Sequence, residues 1–291
     1  FTTKINSFEQ GYVVFNKLIS FISDNPQIFL AITSLFIFSL IGYIYYRFSV
    51  NVYLSTIIFV CFGLYTFSFT GLRQAIAFSI TFFSFKFIVE RKIKHFLVSV
   101  FLAFSIHSSA IIYFFVWPLW NIRHTNKLAI SLLGITLLLL PFYGAIFSFV
   151  VPLLFREKYL TYMNGGSAIN LIILYLFIYL LPLFIKTNDF SVKNDIYKNN
   201  LELQIENFIR WMAYCSFLFQ SLGLIGGDSI TRIAFYFSVF LPLYIPIIFK
   251  RAKFKSLIYT CITILFIAFF YHDTSKEFYN IVPYIFFWEL I

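Results

Sequence analysis

Runs of about 20 apolar residues follow one another along almost the whole chain, and nothing else constrains its folding as much. A helix of that length crosses the hydrocarbon core of a bilayer, where every backbone N–H and C=O must find its partner within the protein. Only helices and closed barrels meet that condition. The strict polar–apolar alternation of barrel strands is absent, so the chain reads as an all-α, polytopic transmembrane helical protein. Composition agrees. Of 291 residues, 60% are hydrophobic and 12% charged, which is about half the charged share of an ordinary soluble domain. Cys61, Cys215 and Cys261 sit inside apolar runs and read as small hydrophobes, neither a disulfide frame nor a metal site.

A net charge of +10 raises the question of nucleic acid. The distribution of the charge argues against it. The basic residues form short clusters between apolar runs, chiefly Arg91-Lys92 with Lys94 and Lys250-Arg251 with Lys253 and Lys255. Clusters so placed mark cytoplasmic loops. The chain starts at Phe1 without an initiator Met or a signal peptide, and one further N-terminal helix is expected ahead of it.

Helical spans are expected near 27–46, 51–70, 72–89, 127–151, 169–186, 206–224, 230–249 and 256–271, with 278–291 beginning a last one. Segment 95–121 has two readings, a single crossing or two half-helices that meet at His107 and return to the same side. With the second, ~15 of the 22 Lys and Arg fall on or beside the cytoplasmic face; with the first, only ~9 do, and the Lys250–Lys255 cluster is stranded outside. Charge therefore favours a re-entrant pair. The expectation is a single integral membrane domain over 1–291 with roughly 9–11 membrane segments and with 1–26 as an outer-face segment.

This topology gathers the unusual polar residues on the outer face: Glu9 and Tyr12, Arg73 and Gln74, His107, Arg156 with Tyr159 and Tyr162, and Asp228 with Arg232 and Tyr236. Arginine and histidine at membrane depth are costly and mark functional positions. Arg73, Arg156 and Arg232 come from separate segments. A planar guanidinium pairs bidentately with phosphate oxygens and stays charged in low dielectric, so such a set suits a lipid-linked phosphate or diphosphate. If a diphosphate departs, arginines stabilise the charge it carries away. The chain lacks the paired carboxylates or closely spaced histidines of a metal cage, and no metal and no cofactor is expected. A sugar hydroxyl attacking such a donor needs a general base, for which Glu9, Asp228 and His107 are the candidates. Plainer readings stand beside these. Arg73 could snorkel to headgroups, His107 could hydrogen-bond between helices, Arg156 could be a solvated loop charge and Arg232 could bridge to Asp228. His95, His124 and His272 read as solvated, and Trp117, Trp120 and Trp288 as interface anchors.

The polar segments resemble a family. Phe8-Glu9-Gln10-Gly11-Tyr12 resembles the outer-facing Glu-x-Gly-Tyr segment of EpsG-type membrane proteins, and Gly71-Leu72-Arg73-Gln74-Ala75-Ile76-Ala77 their Arg-Gln-x-x-Ala signature. Ala103 to Ala110, around His107, resembles Ala-x-x-x-His-x-Ser-Ala. Arg232 to Phe237 and Pro283-Tyr284 resemble later elements in the same order. That group is similar to the Wzy polymerases of O-antigen, capsule and exopolysaccharide synthesis. The resemblance implies a C-type, metal-independent glycosyltransferase of the bacterial inner membrane, active on its periplasmic or outer face. It would move a growing glycan from undecaprenyl diphosphate to a lipid-linked repeat unit. Donor, acceptor, membrane lipid and a chain-length regulator would be its partners, and nucleic acid would not. By position the resemblance carries over Glu9, Arg73, Gln74, His107 and Arg232; with Asp228 from the reading of the residues, Glu9, Arg73, His107 and Asp228 are the catalytic candidates. Gln74, Arg232, Arg156, Tyr12, Tyr159, Tyr162 and Tyr236 are the substrate-binding ones, although the loop of Arg156, Tyr159 and Tyr162 is variable in such enzymes and Arg156 carries over poorly. A flippase for the same lipid-linked sugar, an O-antigen ligase and a sugar acyltransferase are the alternatives. A carrier should show internal repeats and charge along a full path, and neither is evident here.

Overall fold

The structure is a computed structural model that describes residues 9–143, 169–185, 200–250 and 252–275. Among the described residues all regular structure is helical. A short helix, α1 (Gln10–Ser20), occupies the segment ahead of the first expected span. Asn25 then caps α2 (Pro26–Phe48), its side chain accepting the Gln27 N–H while Pro26 starts the first turn. The run near 51–70 is one apolar stretch but two helices, α3 (Val52–Cys61) and α4 (Leu64–Thr70), bent by 50°. Gly63 makes the bend at φ 79°, a conformation cheap only for glycine. The 72–89 run is α5 (Leu72–Phe83) continued by α6 (Phe85–Val89).

Segment 95–121 does turn back. α7 (Ile93–Ile106) rises by about 21 Å at 1.5 Å per residue, and His107 leaves the helix in extended geometry at φ −149° and ψ 117°. A 3-10 helix, Ser108–Asn121, returns alongside it. The two feet meet, because Arg91 Nη1 donates to Asn121 Oδ1 at 2.8 Å and the Arg91 guanidinium lies 5.2 Å from the Trp120 ring centre. Arg91 pays for this clasp in backbone conformation, holding φ 58° at the end of α6, where glycine is usual. Trp120, expected at the membrane interface, is instead buried beneath that guanidinium and against Phe208.

α8 (Asn126–Leu139) and α9 (Ile169–Phe184) follow. α10 (Leu201–Ser238) contains the two expected spans near 206–224 and 230–249 up to a second bend. It reverses at Gly227, whose φ 63° and ψ −161° belong to a region open to glycine alone. Its second limb, Ile230–Ser238, bends by 49° into α11 (Leu241–Phe249), and α12 (Lys255–Thr274) closes the described chain. Among the described residues three helices are long and apolar enough to cross a membrane, or up to five if each bent pair counts as one span, and three shorter apolar helices join them. The expected 278–291 span and the end of the 127–151 run, from residue 144 on, lie outside the described residues.

Proline bends expose carbonyls that lipid cannot satisfy, and side chains from other helices fill them. Pro246 cannot donate to the Pro242 carbonyl, which accepts the Ser55 hydroxyl instead. The Leu243 N–H turns to Phe240 O, and the Tyr45 hydroxyl takes Val239 O at 3.0 Å. Around this bend the rings of Phe82, Phe85, Phe208 and Phe240 are fully buried, with Phe85 stacked on Phe208 at 5.2 Å.

Charges separate by end. At the basic end Arg47 and Lys92 both hold Glu90, at 3.2 and 2.9 Å, and Lys250 joins the close of α11 to Glu202 and Glu206 at the start of α10. Here the loop after the re-entrant pair is tied down, not solvated. Ile122 O accepts from Asn207 Nδ2 at 3.0 Å and Trp211 Nε1 at 2.8 Å, and Asn207 Oδ1 accepts the His124 N–H. Arg210, fully buried, donates to His124 O at 3.1 Å and to Asn126 Oδ1 at 2.8 Å. The solvated reading of His124 is therefore corrected. Its ring is buried against Tyr179 and Trp211, and burial, with Arg210 close by, pushes its pKa down to about 3. It is neutral at physiological pH. Arg210 gave the usual warning, a lone arginine within an apolar run, and was passed over in the sequence.

Candidate functional site

The opposite end holds the other polar residues. Glu9 is the N-cap of α1, yet its carboxylate caps nothing in its own helix. It faces outward. Oε2 accepts from Arg73 Nη1 at 2.8 Å, and Oε1 lies 3.7 Å from His107 Nδ1 and 3.4 Å from both the N–H and the hydroxyl of Ser108. The carboxylate thus sits at the start of two helices, its own and the 3-10 helix, where the exposed N–H groups favour negative charge.

Each partner arrives for a local reason. Arg73 is the second residue of α5, just past the Gly71 cap, so it projects at the end of its helix. A Cβ on Gly71 would fall 2.4 Å from the Phe67 ring, so the chain can turn there only as glycine without moving that ring. His107 is where α7 stops, and the extended backbone hands its side chain and the Ser108 N–H to the same carboxylate. The Tyr12 ring, one turn along α1 from Glu9, lies 5.8 Å from the Arg73 guanidinium.

The limb after Gly227 is fastened to this group twice. Gln74, almost fully buried, donates its amide to the Arg232 carbonyl, and Ser109 Oγ meets Tyr236 OH at 3.0 Å. Phe67 stacks on Phe235 at 4.0 Å between those ties. The Arg232 side chain is exposed beside them. Tyr236 is fully buried with its hydroxyl on Ser109, so in this conformation it is a tie between segments and offers no ring face to a ligand.

The side chains of Glu9, Arg73 and His107 are half-buried, at 23%, 35% and 19% exposure, which leaves the group reachable from one side. Burial works against charge on Glu9. The N–H of Glu9 itself, the charge that His107 carries when protonated, the charge of Arg73 and the Ser108 N–H outweigh it, and the carboxyl pKa falls below its ordinary 4.5. Glu9 is thus ionised at neutral pH and a weak base. Arg156, Tyr159 and Tyr162 lie outside the described residues, as does the side chain of Asp228, so its bridge to Arg232 does too. Sequence reasoning missed Ser108 and Ser109 as working parts, although both stood inside the quoted histidine motif.

The sequence matches the profile of the EpsG family over residues 1–286. Neither curated proteins nor solved structures offered a match.

Proposed function

The chain belongs to the EpsG family, a family of polysaccharide-polymerase-like membrane proteins, and from that premise we propose that it is a repeat-unit polymerase, a glycosyltransferase that moves a glycan from undecaprenyl diphosphate to a lipid-linked repeat unit on the outer face of the bacterial cytoplasmic membrane. One observation carries the reading. Four polar segments far apart in sequence, around Glu9, Arg73, His107 and Arg232, meet at the end of the molecule away from the basic loops. That end is the outer one by the positive-inside rule.

The roles divide by chemistry. The acceptor hydroxyl attacks the anomeric carbon of the donor sugar and gives its proton to His107. The bond from that carbon to the diphosphate oxygen breaks, and its electron pair leaves with the diphosphate. Arg73 and Arg232 receive the charge. Ionised Glu9 holds Arg73 in place and faces the imidazole, so it favours the imidazolium as the proton arrives, which is work for an orienting group and not for a base. This assignment takes His107 from among the three candidate bases.

The test is elongation of a lipid-diphosphate oligosaccharide by purified protein with no other donor. Arg73→Ala and Arg232→Ala should each shorten the product ladder, with turnover down at least ~10²-fold for Arg73, at unchanged protein abundance. A normal ladder from Arg73→Ala would sink the proposal.

A further inference from the structure

The Glu-x-Gly-Tyr segment contributes Glu9 to the site and Tyr12 beside it, which leaves Gly11 without a part. Its surroundings supply one. α1 crosses α7 at this residue so closely that a Cβ on Gly11 would lie 2.2 Å from Ser105 Oγ, 2.6 Å from Ser105 O and 2.7 Å from Ser105 C. Two of these three atoms are backbone, so they cannot swing away. Ser105 is two residues before His107, and its hydroxyl is held by the Leu102 carbonyl at 2.8 Å. The crossing therefore lies beside the contact of the Glu9 carboxylate with the tip that carries His107 and Ser108.

We propose that Gly11 is a positioning residue, which lets α1 approach the re-entrant tip closely enough for Glu9 to face His107. This rests on the reading of Glu9 as the group that orients the base. Local preference cannot explain glycine here, since inside a helix alanine is the better residue. Ordinary contact begins near 3.4 Å, so a methyl at position 11 drives α1 back by about 1 Å, a displacement that can cost ~10²-fold in rate when it misplaces a reacting group. Glu9, two residues away on the same helix, moves with it. Arg73 is anchored on α5, so the pair Glu9–Arg73 and the approach Glu9–His107 both loosen.

The experiment is a cycle of variants in the purified elongation assay with a lipid-diphosphate oligosaccharide. Gly11→Ala should lower kcat ~10- to 100-fold and change KM less than about two-fold. In a Glu9→Gln background the same change should cost less than about two-fold, because the group it displaces is already disabled. Ser105→Gly removes the nearest of the clashing atoms and leaves the two backbone ones, so it should restore only part of the loss in Gly11→Ala, with the melting temperature of each variant in detergent separating loss of fold from loss of positioning. Additive losses from Gly11→Ala and Glu9→Gln would overturn the inference, as would equal activity of Gly11→Ala and wild type. A silent Glu9→Gln would overturn the reading of Glu9 itself, a distinct result that removes the premise.

Discussion

Glu9→Gln is the sharpest perturbation of the proposed mechanism, because glutamine keeps the shape and an acceptor for Ser108 while removing the charge. The Arg73 bond at 2.8 Å is charge-assisted, a class worth about 1.5–3 kcal/mol. Arg73 is about a third exposed and Glu9 about a quarter, so solvent screening brings this to roughly 1–2 kcal/mol. The two contacts from Ser108 at 3.4 Å are too long to add much. The larger effect is on the reaction. A carboxylate 3.7 Å from the imidazole attracts the imidazolium by at most ~4 kcal/mol at an effective dielectric near 20, and it does so only once the proton has moved. Allowing for screening, ~1–3 kcal/mol of transition-state stabilisation is lost, or about 10- to 100-fold in kcat. His107→Ala, which removes the base, should cost more, ~10²- to 10⁴-fold. Both are read as initial rates of lipid-diphosphate oligosaccharide elongation at matched abundance. A Glu9→Gln enzyme as fast as wild type would refute the division of labour, and one more damaged than His107→Ala would return Glu9 to candidacy as the base.

Two further expectations concern stability. Gly227→Ala forces a side chain into a backbone region open to glycine; it should cost about 1–3 kcal/mol, seen as a lower melting temperature in detergent, and an unchanged Tm would contradict the reversal described at that residue. The Glu9 carboxyl has a folded pKa below its ordinary 4.5, so the stability it contributes is present above the unfolded pKa and is lost as pH falls through the folded one. Acid titration of thermal stability should therefore show a larger loss in wild type than in Glu9→Gln below about pH 4.5, and parallel curves would contradict it.

Much of the architecture was legible before any coordinates. Run length placed the starts of α2, α5, α9 and α12 to within a few residues, because the need to cross lipid is written locally in hydropathy. Even the return of segment 95–121 was readable, since the balance of Lys and Arg between loops reports orientation without reference to packing. The same local reasoning could not find the bends. The 51–70 run looks continuous, and only the φ of Gly63 divides it; the 230–249 run is broken where Ser55 and Tyr45, from distant helices, can satisfy the freed carbonyls.

The site divides in the same way. Composition and spacing singled out Glu9, Arg73, His107 and Arg232 as costly or unusual residues, since the expense of a polar group in lipid depends on the residue and its depth alone. Which of them touch was decided by tertiary packing. Glu9 reaches Arg73 across 64 positions and Ser108 across 99, and the helix after Glu9 lies against that of Ser105 where Gly11 leaves no room for a Cβ. Burial, too, belongs to the fold. His124 and Trp120 looked like boundary residues and are interior ones, while Tyr236 looked like a ligand surface and serves as a tie. Hydropathy is a property of a segment, whereas contact and burial are properties of what the rest of the chain brings to it.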